Sequence, residues 1–317
     1  MAFRGSQIWR NATTSICSAN EDPDHLIVGL QVFRLLRKHK NFDVVLTMGS
    51  RPSLAYGLIC GILRIPSKQI MTEVFLDEPR PRSLSCRLKT ALFRWISCRS
   101  IGILTNSSAE VEFMARRFGI PTAKLRFVPM YTTIEHPELS THNEGYVLSI
   151  GRTARDLDTL LLAVPHFRAP LVLVVGKHDP LPEKLPSNIR VFRDISLEEC
   201  HEKIRRAAVV VIPLLPAERS TGQVVLFEAM ALGKPIVATR VTGTQDYVRD
   251  GENGLLIEPG DADSLAHAVN RLLQDKSLAC KLTQAAFLDC QTTLYVEQHA
   301  KLKLSAIAEL QTSSPTS

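Results

Sequence analysis

The sequence predicts an α/β protein made of two Rossmann-like domains. Short apolar runs suited to buried strands alternate with amphipathic, helix-length segments along most of the chain. The 317 residues suffice for about two domains. A polar stretch with His136-Pro137, Tyr131 to Glu144, breaks the alternation near the middle and reads as a linker. The expected division is therefore residues 1–138, residues 139–292, and a C-terminal helix with a frayed tail over 293–317.

The elements follow in order. Met1 to Asn20 shows little period. His25 to Lys38 has helical spacing through Leu26, Leu30 and Phe33, and Asp43 to Thr47 is a buried strand closed by the turn Met48 to Pro52. Leu54 to Leu63 is a helix of small residues, Gln69 to Leu76 a strand, Leu84 to Arg99 a helix, and Ile101 to Asn106 a strand. Ala109 to Phe118 is a helix closed by Gly119-Ile120-Pro121, and Leu125 to Met130 is the last strand of the first half. The second half opens with the strand Tyr146 to Ile150, the helix Asp156 to Val164 and the strand Leu171 to Val175, closed by Gly176. Ile189 to Phe192 is a strand, Leu197 to Ala207 a helix, and Val209 to Pro213 a strand. Asp261 caps a helix to Leu273, and Lys281 to Leu310 contains one long helical pattern.

Composition narrows the class. Hydrophobic residues make up 45%, enough for a sizeable core. The seven cysteines are odd in number and include no C-x-x-C pair, which argues for reduced thiols in a cytosolic compartment. No apolar run approaches the ~18 residues of a membrane span, and residues 1–20 lack the apolar core of a signal peptide. Residues 1–138 hold 19 Lys+Arg against 11 Asp+Glu, a balance of +8, while the remainder stands at −2. A basic first half suits an anionic partner or surface.

The stretch Ser220 to Gly260 carries the sharpest signals. Ser220 is a candidate N-cap for a helix from Thr221 to Leu232, with Val225, Ala229 and Leu232 on its apolar face. Gly233 closes it, Lys234-Pro235 blocks continuation, and Ile236 to Thr239 is a short strand. A short helix then precedes the strand Leu255 to Ile257. The helix start Thr221-Gly222-Gln223 offers free N–H groups to an anion, and Gly222 admits a phosphate close to the backbone. Glu228 is an acid inside an otherwise apolar helix and needs a partner, such as a ribose diol. Taken alone, the residues slightly favour the plainer reading: a capped core helix whose Glu228 is satisfied by backbone or by Lys234.

The residues Glu228-Ala-Met230, Gly233, Pro235, Ile236-Val-Ala-Thr239 and the later Asp250-Gly-Glu-Asn-Gly-Leu-Leu-Ile-Glu-Pro-Gly-Asp261 resemble the donor-site signature of the family-4 glycosyltransferases. That resemblance implies the GT-B fold, two Rossmann-like domains facing a crevice, with the last helix crossing back onto the first domain. One departure stands out: Ser220 occupies the place, eight residues before Glu228, where the family has an acid near the donor sugar. The resemblance also implies a shortened N-terminal domain, because the family opens with a strand and a Gly-rich loop not found before the first helix here. The family's His-Asp near the acceptor edge is missing as well. Asp77 and Glu78 are weak substitutes, and solvated loop acids are the better reading of both.

Gly151-Arg152-Thr-Ala-Arg155 lies at a strand's C-terminal end, where ligands of open α/β sheets collect. Two arginines there suit phosphate oxygens. Arg152 matches the family's Gly-Arg in place, and Arg155 stands closer to it than the family's usual Lys. Arg193 follows a strand where the family contacts the nucleobase, although a surface arginine is the commoner case. The candidate catalytic residues are Arg152, Arg155 and Ser220. The candidate donor-binding residues are Gly151, Arg193, Thr221, Gly222, Gln223, Val224 and Glu228. On Leu84–Arg99, Leu84, Leu88, Leu92, Trp95 and Ile96 share a face, with Arg87, Lys89, Arg94 and Arg99 elsewhere. Packing on the parent sheet explains that face best, and docking on a membrane surface is the other reading.

The function expected from the resemblance is a retaining glycosyltransferase in glycan or glycolipid assembly. It would use a nucleotide-sugar co-substrate and a sugar or lipid-linked acceptor, with no resident cofactor, no metal and no nucleic-acid partner. The expected location is cytoplasmic, with peripheral contact at the inner face of the membrane. A different class, a catalytically silent sugar-nucleotide-binding or scaffold protein, is motivated by Ser220 and the missing His-Asp. A sugar-nucleotide epimerase ranks low, since the required carboxylates and His cannot be placed.

Overall fold

The computed structural model describes residues 6–13, 28–74 and 84–313. It divides into two compact units, Met1–Pro129 with Glu297–Ser317, and Met130–Val296. Asp77, Glu78 and the start of the expected first helix lie outside the described residues.

In the first unit, α1 (Gln7–Ala12) is capped by Ser6 and precedes α2 (Val28–Lys38). A parallel sheet follows in the order β1 (Val45–Met48), β2 (Gln69–Thr72), β3 (Gly102–Thr105), β4 (Leu125–Phe127). The crossovers are α3 (Ser50–Ile62), α4 (Leu84–Arg99) and α5 (Ser108–Phe118). Sequential strand order with right-handed crossovers places all three on one face. Their contact with the sheet is the core of Met71, Phe93, Ile96, Ile103, Met114 and Phe118, in which Phe93 meets Phe118 edge-on at 4.7 Å. Gly57 and Gly61 bring α3 against α4, since a methyl group at either would strike Ile96 or Trp95. The helix α3 starts earlier than expected, at Ser50. Pro52 falls in its first turn, where a missing N–H costs nothing.

In the second unit the six strands β5 (Val147–Ile150), β6 (Leu171–Val175), β7 (Ile189–Arg193), β8 (Val209–Ile212), β9 (Ile236–Thr239) and β10 (Leu255–Ile257) are all parallel. Their spatial order is β10-β9-β8-β5-β6-β7, the doubly wound arrangement. Strands β5, β6, β8 and β9 are buried at every position, as sheets covered on both faces require. The helices are α6 (Leu157–Ala163), α7 (Leu197–Arg206), α8 (Gln223–Ala231), α9 (Ala262–Gln274) and α10 (Lys276–Thr292). Asp156 caps α6, and Asp261 caps α9 through the Ser264 N–H at 2.9 Å. The expected short helix after β9 is a run of turns instead.

Residues 131–144, expected as a linker, belong to the second unit. Backbone bonds from Thr132 to Leu294, Glu138 to Ala231 and Glu144 to Arg206 hold them there. The single long helix expected over Lys281–Leu310 is two. The N–H groups of Thr293 and Leu294 both turn back to the Asp289 carbonyl, ending α10, and α11 (Val296–Ser313) begins anew.

Helix α11 belongs to the first unit and covers the other face of its sheet. Ala306 and Leu310 pack on Ile70, Leu104 and Val128, and Gly102 leaves room for Leu310. Glu297 at its start accepts from the Ser6 hydroxyl (2.6 Å) and the Gln7 N–H (2.7 Å), which fixes α1 there. Two buried basic groups lie on its inner side. Burial, helped by Lys303, draws His299 down to about 4, and burial draws Lys303 down to about 8 against the pull of Glu73.

The lowered pKa of His299 makes stability depend on pH. Between pH 6.5 and 4 the unfolded chain holds a proton that the folded one does not, so stability falls as pH drops through that window. At ~1.4 kcal/mol per unit, the group accounts for at most about 3 kcal/mol. His299→Asn keeps a donor near the Pro129 carbonyl and removes the titration. Its denaturant midpoint is expected to fall less than the wild-type midpoint between pH 7 and pH 4.5. Equal losses would remove His299 from the account.

Candidate functional site

In the second unit, β5 and β8 are spatial neighbours although β6 and β7 intervene in sequence. The chain winds in opposite directions from this pair, so the loops leaving them part at the carboxyl edge, where such sheets bind ligands. The loop after β5 is residues 151–156, and the loop after β8 is residues 213–222. Backbone bonds join them: Asp156 N–H to the Pro213 carbonyl (3.1 Å) and Leu215 N–H to the Ala154 carbonyl (2.9 Å), around a bridge between Arg155 and Leu214. The loop after β9 is tied to the same place. The Thr239 hydroxyl accepts from Leu214 N–H at 3.0 Å, and Thr242 donates to the Ala217 carbonyl at 2.9 Å. A side chain at Gly243 would run into the backbone of Thr221, so glycine permits this approach.

The helix start differs from the expectation. The cap of α8 is Gly222, not Ser220, with φ +83 and no side-chain capping bond. Leu214, 2.6 Å from where a Cβ would stand, enforces glycine there as much as the backbone does. Ser220, Thr221 and Gln223 are buried and Val224 is exposed. Helix α8 is buried nearly all round rather than on one face, because it lies among α7, α10 and the sheet.

The two loop arginines part company. Arg152 is exposed and donates to Asp194 Oδ1 at 2.6 Å. Arg155 turns inward, against the expectation of two loop cations pointing at a ligand, and folds under Gly151, whose φ of +130 makes way for it. Its Nε and Nη2 donate to the Ile150 carbonyl at 3.0 and 2.8 Å. Burial pulls its pKa down to about 10, so it stays cationic at neutral pH. No carboxylate lies within ion-pair distance of it among the described residues, and its Nη1 is buried without a hydrogen-bond partner. The Thr221 and Ser149 hydroxyls are likewise buried without partners at this edge.

Glu228 is buried, and its neighbours are not those expected. Oε1 accepts from the Thr133 hydroxyl at 3.3 Å and meets His201 Nε2 at 3.2 Å. Lys234 turns instead to the carbonyls of His142 and Ser140 at 2.6 and 3.4 Å. Arg193 donates to the carbonyls of Gly176 and Asp179, at 3.1 and 3.0 Å, and so braces the turn after β6. His201, Thr133 and Asp194 were not singled out from sequence. The Ser196-x-x-Glu199 capping box marks the start of α7, but contact with Glu228 arises only when α7 packs on α8. Among the described residues no cluster of three His, Cys, Asp or Glu side chains is placed to hold a metal ion.

Comparison with known proteins agrees with this architecture. Residues 144–275 match the family described as "Glycosyl transferases group 1". The chain is 32% identical over 145 residues to the lipopolysaccharide core biosynthesis glycosyltransferase LpsE of Rhizobium meliloti, covering 44% of this chain and 42% of that protein. It is 42% identical over 217 residues to the D-inositol 3-phosphate glycosyltransferase of Acidothermus cellulolyticus, covering 58% and 48%. It thus spans less than half the length of each. Among solved structures it resembles Anabaena Alr3699/HepE in complex with UDP, at TM-score 0.68 and 17% identity over 88% of this chain and 82% of that one. It also resembles sucrose-phosphate synthase from Thermosynechococcus elongatus, at TM-score 0.66 and 21% identity over 91% and 80%. With its two parallel sheets the chain has the GT-B fold, and residues 144–275 are similar to the glycosyl transferases group 1 family.

Proposed function

We propose that this protein is a retaining glycosyltransferase of polysaccharide or lipopolysaccharide assembly that takes its sugar from a nucleoside diphosphate donor. The observation that carries the reading is the buried, unbalanced charge of Arg155 beneath the Gly151 turn, on a loop bridged to Leu214, whose side chain packs against the α8 cap Gly222. A buried cation and orphaned polar atoms call for a charged partner. A diphosphate supplies one, and the charge on it grows as the glycosidic bond breaks. Arg152 leaves its exposed pair with Asp194, which contributes little, to join the diphosphate. The N–H groups of Gln223 and Val224 face the same charge through the helix dipole. Glu228 accepts from the ribose hydroxyls, Ser220 and Thr221 stand toward the sugar, and no metal is needed. UDP and UDP-glucose, bound by the Anabaena structures, are the first donors to try.

Ser220 in place of an acid favours a second reading, a protein that binds the donor without transferring its sugar. Donor binding with no product across a panel of acceptors would support it, and transfer to any acceptor would exclude it.

Arg152→Ala is expected to weaken nucleoside diphosphate binding tenfold to a hundredfold, as for loss of a charge-assisted bond of ~1.5–3 kcal/mol. Glu228→Gln should weaken the nucleotide and spare pyrophosphate, which has no ribose. Titration calorimetry decides both. Unchanged nucleotide affinity in Arg152→Ala would overturn the phosphate assignment.

The first unit carries the surface we assign to an anionic leaflet. On α4, Phe93 and Ile96 face the sheet, whereas Leu88 and Trp95, grouped with the packing face from sequence, are 64% and 41% exposed. Arg87, Lys89, Arg94 and Arg99 are exposed around them, and Arg99 lies over the Trp95 ring at 5.3 Å. On α2, Phe33 is exposed and carries Arg37 over its ring in the same way. No helix among the described residues is long and apolar enough to cross a membrane, so contact would be peripheral. Each basic residue near such a surface contributes about 1 kcal/mol. Sedimentation with anionic vesicles at low salt, release at high salt and little binding to neutral vesicles are expected. Charge reversal at Arg87 and Arg94 should matter more than at Lys276 and Lys281. Indifference to anionic vesicles at low salt would return α4 to ordinary packing.

A further inference from the structure

We propose that His201 is the positioning residue that selects ribose, by locking the Glu228 carboxylate so that one oxygen is held by protein and the other is presented to the nucleotide. The inference rests on the reading of Glu228 as the ribose acceptor.

The two carboxylate oxygens are not equivalent. Oε1 has both protein partners, the Thr133 hydroxyl and His201 Nε2, and Oε2 has none among the described residues. Thr133, at 3.3 Å, is a long contact from a segment without regular structure, so His201, at 3.2 Å on a helix, is the firmer of the two. An ionised carboxylate only accepts, so His201 presents Nε2–H. The side chains are 17% and 5% exposed, which keeps competing water off Oε1.

Helix α7 is well fixed for this task. Ser196 and Glu199 close a reciprocal capping box at its start, and the Tyr146 hydroxyl donates to the Lys203 carbonyl at 2.7 Å further along. Lys203 lies 3.9 Å from the centre of the Phe192 ring, tying the helix to β7. Cys200, next to His201, has its thiol pushed up chiefly by burial, and both Glu228 and Arg152 act on it. A glutamate freed of His201 could rotate about its side-chain torsions and lose the fixed direction of Oε2.

The test compares UDP with 2′-deoxy-UDP and 3′-deoxy-UDP, with pyrophosphate as a probe that lacks ribose. Wild type is expected to favour UDP over the deoxy forms about tenfold, the loss of one hydrogen bond to a charged group. His201→Ala should bring that ratio close to one while leaving pyrophosphate affinity unchanged, which also shows that the site remains folded. His201→Gln, whose amide nitrogen can stand where Nε2 stood, should restore most of the preference. If His201→Ala keeps the wild-type ratio, the inference is overturned and the ribose role of Glu228 survives. If wild type itself binds UDP and the deoxy forms equally, the ribose role fails, and the inference with it. A ratio that falls equally in His201→Ala and His201→Gln, with weaker pyrophosphate binding in both, would make His201 a packing residue only.

Discussion

The pairing of β5 with β8 is the constraint on which the site depends. Val147, Leu148 and Ser149 register against Val209, Val210 and Val211, all of them buried. Parallel pairing of strands so far apart in sequence requires helices on both faces of the sheet, and it sends the two following loops to a common edge. The bonds between residues 154–156 and 213–215 continue that pairing past the strand ends. A turn of small residues, the start of α8 and a buried guanidinium are thereby brought together without any local sequence signal for their proximity.

Electrostatics at this edge differs between its two arginines. Arg152 is an exposed cation with an exposed partner, and such a pair is easily exchanged for a ligand. Arg155 has no carboxylate to exchange, and its charge is held by one carbonyl under a glycine. Burying a cation this way is costly unless something negative completes it. The first unit has its own buried base, Lys303, whose pKa burial draws down to about 8 against the pull of Glu73, and whose ammonium lies 5.7 Å from the Trp9 ring. In the second unit the buried charge of Arg155 lies under the Gly151 turn, on a loop bridged to Leu214.

Much of this was legible in the sequence, because strands and helix ends are local. The apolar runs 147–150, 171–175, 209–212 and 236–239 are strands, and Asp156, Asp261 and Gly233 end or begin helices as their chemistry dictates. What escaped depends on packing. Gly222 rather than Ser220 caps α8, and Leu214, at the far end of the same loop, fills the space a side chain at 222 would need. Glu228 finds His201 rather than Lys234 because the carbonyls of Ser140 and His142 claim the lysine. The break between α10 and α11 is invisible to helical periodicity, since Asp289 ends one helix without glycine or proline.

The most direct measurement of the central claim is amide hydrogen exchange with and without UDP. The account predicts slowed exchange in residues 151–156, 213–224 and 240–244, the three loops joined at the β5–β8 edge. The outer turns of α2 to α4 in the first unit should be unchanged. Binding of UDP with protection elsewhere, and none in these three loops, would contradict it.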